Sequence, residues 1–311
     1  MTINRRVVPA GADIGSWRAA DEWPLRTFTW PGGERGSLLF LGGRGDVFEK
    51  YYEAFDHWHR AGWRIVSFDW RGQGGSGRLS DDTLVGHASD FAPWIEDLAA
   101  FFAEWSARTA GPHVVVAHSM GGHLTLRALS ERRIAPDAAV LVAPMLGLRS
   151  APFGPRLGAR IAWLMTKIGR PERQAWKSNE RPGVPMKKRQ SLLTHDVARY
   201  EDELWWKREK PEIEVGPPSW AWVAEAYRST LALQGQGRLE SVTTPLLLLA
   251  AGHDRLVDPA AIRRAAARLP DARLRIWGPE SAHEILREAD LVRDAALAEI
   301  DSFLDARAQA R

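Results

Sequence analysis

Six short apolar runs recur along the chain, with helix-like spacing of apolar residues between them. The runs are nearly continuous rather than alternating, which is typical of strands buried on both faces of a parallel sheet. They lie at 38–41, 65–68, 114–117, 139–143, 246–250 and 274–277. We therefore predict a mostly parallel sheet built from these six segments.

Helices are predicted between and after these runs. Apolar residues follow one another at steps of three and four within 48–58, 95–105 and 292–303, and each set gives one stripe that can pack on a sheet. Alternating strands and helices predict an α/β fold with a doubly wound sheet and right-handed crossovers. Residues 17–30 resemble an antiparallel hairpin at one sheet edge.

The segment 145–237 interrupts this alternation. It contains no strand-like run, is rich in Pro, Arg and Trp, and has helical stretches at 156–168 and 219–233. Between Pro155 and Lys210 the chain carries 14 Lys and Arg against 7 Asp and Glu. We predict that 145–237 is a basic helical cap inserted into a core made of 1–144 and 238–311.

Composition limits the possible functions. Of the 311 residues, 45% are apolar and 26% charged, as in an ordinary globular protein with a large core. The absence of cysteine excludes disulfides and thiolate chemistry. A net charge of +3 gives little support for nucleic-acid binding. No signal-peptide pattern and no run of about 18 apolar residues occurs, so we expect a cytoplasmic protein.

Ser119 is separated from the run 114–117 by His118 alone and precedes a helical pattern. A serine on a sharp strand-to-helix turn presents its hydroxyl at the carboxyl edge of the sheet, where open α/β sheets bind ligands. The usual pattern is Gly-x-Ser-x-Gly; here Ala117 takes the place of the first glycine and Gly121 is the second. Ser119 is thus a candidate nucleophile, with capping of the next helix as the alternative role.

A nucleophilic serine needs a base and an orienting acid. In this architecture the acid and then the base follow the serine along the chain. Asp254 and His283 each follow an apolar run, so both are expected at the same sheet edge. Asp258 is the rival acid, but it precedes Pro259 and looks more like a helix N-cap. His123 lies one helical turn beyond Ser119 and is not favoured as the base. The other histidines considered are expected to be surface or packing residues, namely His57, His59, His87, His113 and His195.

An oxyanion hole requires two backbone N–H groups aimed at the developing charge. We expect one from Met120, the residue after Ser119. The second is expected from Arg44, in the glycine-rich turn 42–46 that follows the first run, where glycines permit close approach to a ligand.

Three further patterns have weaker functional interpretations. Residues 72–77 fit G-x-G-x-x-G, but no helix begins there as a dinucleotide site requires. No HExxH motif or other cluster of metal ligands is present, so no metal is expected. The basic triplet 187–189 is expected to be a solvated surface rather than a nucleic-acid site.

These motifs resemble the α/β-hydrolase superfamily, in particular the lysophospholipase and monoacylglycerol-lipase group of the serine aminopeptidase S33 type. The similar segments are 118–122, 69–76, 252–254 with 257–258, and 282–284. The resemblance implies an α/β-hydrolase fold, no cofactor, and Ser119, Asp254 and His283 as nucleophile, acid and base. Ala117 and the turn 42–46, which replaces a His-Gly loop, depart from the pattern. The segment 283–288, HEILRE, is especially similar to bacterial lysophospholipases.

We therefore expect hydrolysis of a carboxylic ester on a single-chain lipid, such as a lysophospholipid or monoacylglycerol. A soluble-ester esterase, an aminopeptidase and a non-catalytic binding protein are the alternatives, because fold does not fix substrate. Six of the 15 tryptophans lie in the predicted cap. Tryptophan beside basic residues suits an anionic membrane, although these tryptophans could also form the cap's own core. The expected substrate contacts are Gly43, His118, Trp163 and Trp222, with the side chain of His118 expected to point away from the Ser119 hydroxyl.

Overall fold

A computed structural model describes residues 3–150, 152–176 and 187–309. Within these ranges eight strands form one sheet. Each predicted apolar run coincides with one of the last six strands, although residue 143 lies just beyond its strand. The 17–30 pattern falls in an antiparallel pair formed by the first two strands. In chain order the strands are β1 (Asp13–Arg18), β2 (Pro24–Trp30), β3 (Gly36–Leu41), β4 (Trp63–Phe68), β5 (His113–His118), β6 (Ala138–Val142), β7 (Leu246–Ala251) and β8 (Ala272–Trp277).

The predicted helical patterns all fall in helices, whereas the helices at 187–193 and 197–209 had no predicted pattern. One difference is that the 48–58 pattern begins with a 3-10 turn, Phe48–Tyr51, before the α-helix starts. The α-helices of the described ranges are α1 (Tyr52–Arg60), α2 (Ala92–Arg108), α3 (Met120–Ser130), α4 (Gly154–Lys167), α5 (Lys187–Leu193), α6 (Val197–Glu209), α7 (Trp220–Leu233), α8 (Pro259–Ala266) and α9 (Asp290–Arg307).

The strand order is β1–β2–β4–β3–β5–β6–β7–β8. Strand β2 pairs antiparallel with β1 and β4, and all other neighbouring strands are parallel. The predicted mostly parallel α/β-hydrolase fold is therefore confirmed. The order of strands reverses between β3 and β5, where Leu41 pairs with Ala117. The loops that follow these two strands consequently emerge side by side, which is where open α/β sheets bind ligands.

The core consists of two apolar layers, one on each face of the sheet. Leu39, Val115 and Leu248 belong to the layer covered by α2, α3, α7 and α8. Their chain neighbours Leu38, Val114 and Leu247 belong to the layer covered by α1 and α9. Successive side chains of a strand point to opposite faces, so both must be apolar. This double burial explains why the strands appear in the sequence as continuous apolar runs.

Helices α4 to α7 all lie between β6 and β7 in the chain, within the predicted cap. Helix α4 packs mainly on α7, and α6 contacts the 3-10 turn that precedes α1. Nowhere in the described part of the chain is a helix both long enough and apolar enough to cross a bilayer.

Candidate active site

Ser119 is the single residue between β5, which ends at His118, and α3, which begins at Met120. Its φ of 51° and ψ of −114° lie in a region that L-residues rarely adopt, and such strain is typical of functional turns. Gly121 is needed for close packing, since a Cβ there would lie 2.5 Å from the Gly42 carbonyl oxygen. The side chain of Ser119 makes no capping hydrogen bond to α3, so its hydroxyl is available for another partner.

That partner is His283. Its Nε2 lies 2.8 Å from Ser119 Oγ, and its Nδ1 lies 2.6 Å from Asp254 Oδ2. The second oxygen of Asp254 accepts hydrogen bonds from the backbone N–H groups of Leu256 and Val257, at 2.7 and 3.1 Å. Because the Asp254 carboxylate accepts at Nδ1, His283 donates its Nδ1–H there, which leaves Nε2 free to accept the serine proton.

Charge and burial set the protonation of this chain of hydrogen bonds. Burial opposes the charged form of Asp254, but the charge and hydrogen bond of His283 outweigh it and lower the pKa of Asp254. Burial likewise acts to lower the pKa of His283, yet the neighbouring Asp254 raises it above 6.5. The pair therefore favours an ionised Asp254 and a basic His283, which suits proton transfer from a hydroxyl.

The rival groups have other partners. Asp258 caps α8, where its Oδ1 accepts from the N–H of Ala260 at 3.0 Å. His123 is buried with Nε2 2.8 Å from the Ser229 hydroxyl, and burial together with Arg127 lowers the pKa of His123 to about 3. Each of the other five candidate histidines has a partner away from the serine. The pairs are His57 with Asp301, His59 with the Pro31 carbonyl, His87 with Ser219, His113 with Thr109, and His195 with Glu288.

The turn 42–46 lies against the serine. A Cβ on Gly43 would be 2.9 Å from Ser119 Cβ, so a larger residue cannot be placed there without displacement. The N–H of Gly43 donates to Asp46 Oδ2 at 2.7 Å, and that of Gly45 donates to Gln73 Oε1 at 2.9 Å. These two hydrogen bonds fix the backbone on both sides of Arg44. The Arg44 guanidinium donates to the Gly216 carbonyl at 2.7 Å.

A pocket opens over Ser119, and its lining residues form two chemically different groups, which we call the apolar wall and the polar wall. The apolar wall includes Met145, Leu148, Trp176, Leu193 and Trp222 from the predicted cap, and Leu256 and Val257 from the predicted core. The other is polar and was not predicted apart from His118; it consists of Asp46, Lys50, His118, Arg189 and Glu284. Such a pocket can hold a molecule with one apolar and one polar end.

The structure brings most, but not all, of the predicted site residues to this pocket. Gly43, Arg44, His118, Met120 and Trp222 line it together with Ser119 and His283. Trp163 does not line it. Its side chain is 59% exposed on α4 and borders a separate surface groove formed with α7.

The orientation of His118 differs from the expectation that its side chain points away from the Ser119 hydroxyl. It is buried, it lines the pocket, and the centre of its ring lies 4.9 Å from that of His283. Its Nδ1 lies 2.9 Å from Asp46 Oδ2 and 3.0 Å from the Tyr51 hydroxyl. The ring is therefore held beside the serine by groups that precede α1.

Three residues of the polar wall, Asp46, Lys50 and Glu284, belong to a buried ionic network. The ammonium of Lys50 lies 2.5 Å from Asp46, 2.7 Å from Glu284 and 3.0 Å from Glu203. Arg287 also contacts Glu203 and Glu284, and Lys207 lies 2.6 Å from Glu203. Burial acts to lower the pKa of Lys50, but the three carboxylates raise it above its ordinary value. The network joins α6 to the core directly beside His283.

The three weaker sequence patterns have structural explanations. The glycines of 72–77 lie in a turn, and Gln73 from this turn supports the backbone at Gly45. No helix begins until Ala92, so a dinucleotide site is not formed. In the basic triplet, Lys187 and Lys188 are exposed while Arg189 lines the pocket. Among the residues that the structure describes, no group of three or more His, Asp and Glu side chains could hold a metal ion.

Comparison with known proteins gives matches along nearly the whole chain. Residues 32–290 match the family described as Serine aminopeptidase, S33. The chain is 30% identical to Lysophospholipase L2 of Escherichia coli, in an alignment that covers 94% of this chain and 87% of that protein.

Two solved structures have the same fold. Monoglyceride lipase of Saccharomyces cerevisiae, solved with a substrate analog, superimposes with a TM-score of 0.74 at 17% identity and covers 98% of this chain and 99% of its own. Monoacylglycerol lipase of Paleococcus ferrophilus gives 0.69 at 19% identity, over 90% of this chain and 98% of its own. At this identity the similarity shows the shared fold alone.

Proposed function

The chain belongs to the serine aminopeptidase S33 family of α/β-hydrolases, and on that premise we propose that it hydrolyses carboxylic esters of single-chain lipids such as lysophospholipids and monoacylglycerols. The observation that carries the proposal is the hydrogen-bonded series Ser119, His283 and Asp254 at the base of a pocket with one apolar and one charged wall. The E. coli lysophospholipase, 30% identical over most of both chains, supports the lipid substrate class.

In the proposed reaction, Ser119 Oγ attacks the ester carbonyl carbon while His283 Nε2 takes the hydroxyl proton. The bond to the alcohol oxygen then breaks, and His283 returns the proton to that oxygen, so that the alcohol leaves and an acyl-serine remains. A water molecule, deprotonated by His283, then attacks the acyl carbon. The bond between that carbon and Ser119 Oγ breaks, His283 returns the proton to Oγ, and the acid and the free serine are released. Asp254 holds the imidazole and stabilises its charged form.

The negative charge of each tetrahedral intermediate needs two hydrogen-bond donors. We assign these to the backbone N–H groups of Met120 and Arg44, because both residues line the pocket together with Ser119. The bonds that fix Gly43 and Gly45 support this assignment, because a preorganised donor loses no energy in reorganisation during the reaction.

We also assign residues 145–237 as the cap. Trp176, Arg189 and Trp222 from this segment face Ser119 and His283 from the core across one pocket. The apolar wall would hold the acyl chain, and the polar wall would hold the alcohol part of the ester.

The proposal is tested by hydrolysis of three esters, lysophosphatidylcholine, monoacylglycerol and p-nitrophenyl butyrate, with Ser119→Ala as the blank. The long-chain lipids should give the highest kcat/KM, because burial of the acyl chain against the apolar wall contributes about 25 cal/mol of favourable free energy per Å². Cleavage of the butyrate alone would contradict the lipid assignment and indicate a small-ester esterase. Cleavage of amino-acid arylamides instead would indicate an aminopeptidase, and failure to label with a fluorophosphonate would indicate a non-catalytic binding protein.

We further propose that α4 docks the protein on an anionic membrane. Five apolar residues recur at steps of three and four along α4 and its two flanking positions, and all are exposed: Phe153, Leu157, Ile161, Leu164 and Ile168. Arg156, Arg160 and Lys167 border one side of this stripe. An apolar face with a basic border is typical of helices that lie in the lipid interface, and anionic lipid supplies the complementary charge.

Docking is tested by flotation with vesicles of phosphatidylcholine containing phosphatidylglycerol. The double variant Leu157→Ser with Leu164→Ser should bind about tenfold or more weakly than the native protein, because two apolar side chains no longer enter the interface. Leu291→Ser is the matched control, since Leu291 is 85% exposed on α9, outside this stripe. Salt-insensitive or absent flotation would overturn the proposal. Dimerisation without vesicles that the double variant abolishes would assign the stripe to a second copy of the chain.

A further inference from the structure

A second histidine–aspartate pair lies beside the proposed catalytic one. His118 contacts Asp46 through Nδ1, as His283 contacts Asp254, and the two imidazole rings are 4.9 Å apart. The proposed mechanism uses Ser119, Asp254 and His283 and gives no role to His118. Yet His118 lines the same pocket, with only 3% of its surface exposed.

The surroundings of His118 fix its tautomer. The Tyr51 hydroxyl donates to Asp46 Oδ2 at 2.8 Å, and that same oxygen lies 2.9 Å from His118 Nδ1. A carboxylate oxygen can only accept, so Nδ1 must carry the proton in order to bond to it. In the neutral ring, Nε2 then carries the lone pair and accepts hydrogen bonds.

This acceptor is buried and has no hydrogen-bond partner within the described ranges. A buried polar atom without a partner is uncommon in folded proteins and calls for an explanation. The ring nitrogens lie on different sides of the imidazole, so Nε2 is directed away from Asp46 and Tyr51. His118 borders the pocket, so a small rotation of its ring that exposes Nε2 would let a ligand in that pocket satisfy this atom.

We propose that His118 Nε2 accepts a hydrogen bond from a free hydroxyl on the carbon next to the ester-bearing carbon of the substrate. The inference rests on the proposed function, because it concerns the alcohol part of the ester. In that reaction His283 Nε2 must approach the leaving oxygen, and the adjacent His118 ring is then close to the next carbon of the alcohol. Lysophospholipids and monoacylglycerols have a hydroxyl there, whereas diacyl phospholipids have an ester that cannot donate.

His118 would thus make the pocket selective for single-chain lipids. A site built to bond a substrate hydroxyl rejects an analogue that lacks it, because the buried acceptor stays unpaired. We expect the preference in kcat/KM to be on the order of 10²-fold, the range that one buried hydrogen bond to a ligand supplies.

The experiment compares lysophosphatidylcholine with its 2-deoxy analogue of the same chain length and headgroup. For the native protein, kcat/KM should be on the order of 10²-fold higher with the hydroxyl. In His118→Phe, which keeps an aromatic ring but no acceptor, the ratio of the two values should fall to about one. Because both substrates are measured with the same variant, a general loss of activity cancels in the ratio.

Two further measurements avoid dependence on that variant. A 2-methoxy analogue keeps the oxygen but cannot donate, so the native protein should discriminate against it as well. In Ser119→Ala with ¹⁵N-labelled histidine, an ether-linked lysolipid should shift the Nε2 resonance of His118, and its 2-deoxy analogue should not.

Equal hydrolysis of the hydroxyl and deoxy lipids by the native protein would overturn this inference and leave the proposed function intact. A ratio that His118→Phe does not change would also overturn it, since another group would then recognise the hydroxyl. Hydrolysis of neither lipid would reject the proposed function, and the inference with it.

Discussion

Ser119→Ala is expected to lower kcat for ester hydrolysis by about 10⁶-fold, because nucleophile and base act as one unit and removing either abolishes the acyl-serine route. Asp254→Asn is expected to lower kcat by about 10⁴-fold. The asparagine amide can present a donor to His283 Nδ1, which then must accept, so that Nε2 carries the proton and cannot take the one from Ser119. Both variants should therefore lose the attack by an activated serine, and the loss of kcat should be larger for Ser119→Ala.

The matched control for Asp254→Asn is Asp258→Asn. Asp258 is four residues away on the same loop, but its side chain caps α8, and asparagine is an equally good N-cap. We expect kcat within about threefold of the native value for this variant, because an exchange between equally good caps leaves the loop in place. Steady-state hydrolysis of a p-nitrophenyl ester measures all three variants, and the thermal midpoint shows whether each remains folded. If Asp258→Asn were the more damaging of the two aspartate changes, the assignment of Asp254 as the orienting acid would be wrong.

Much of the fold follows from the sequence because its physical causes are local. Continuous apolar runs such as 114–117 are required where a strand is covered on both faces, and here the two core layers use alternate residues of each strand. The placement of Ser119, Asp254 and His283 was predictable for a related reason. Each follows the carboxyl end of a parallel strand, and those ends share one edge of the sheet.

The polar wall of the pocket and its buried ionic network could not be predicted in this way. Lys50, Glu203 and Glu284 come from three distant segments, and each occupies a position that the sequence alone would place in solvent. Charged residues are rarely buried, so a pattern-based prediction assigns them to the surface. Asp46 and Lys50 are four residues apart, and this spacing could have indicated their ion pair. It could not have indicated the rest of the network.

Helix α4 shows a second limit of sequence patterns. Its apolar stripe would ordinarily be taken as the face that packs inward. In the structure the opposite face packs on α7, where Gly158 lies so close to Tyr227 that a Cβ would be 2.6 Å from the phenol oxygen. Small residues allow this close approach, and the larger apolar residues are left outside. Trp163, on the same helix, is therefore directed to the surface rather than to the substrate pocket.

Lys50→Met is expected to reduce the free energy of unfolding by about 3–5 kcal/mol, the cost of removing one partner from a buried ionic network. Methionine fills a similar volume, so the loss would come from charge rather than from a cavity. Three carboxylates now share Lys50, and its ammonium side chain is 2% exposed. Arg287 and Lys207 remain in the variant, but they contact Glu203 and Glu284, and Asp46 would keep no cation at salt-bridge distance within the described network.

Urea unfolding followed by tryptophan fluorescence measures the change. Arg273→Met is the matched control: its partner Glu299 lies 2.7 Å away, but the Arg273 side chain is 56% exposed, so we expect a loss below about 1 kcal/mol. The contrast separates burial from ion pairing as such. Equal losses in the two variants would mean that the network around Lys50 is screened by solvent. A more stable Lys50→Met would mean that desolvation of the charges outweighs their attraction, and that the network is retained for the pocket rather than for stability.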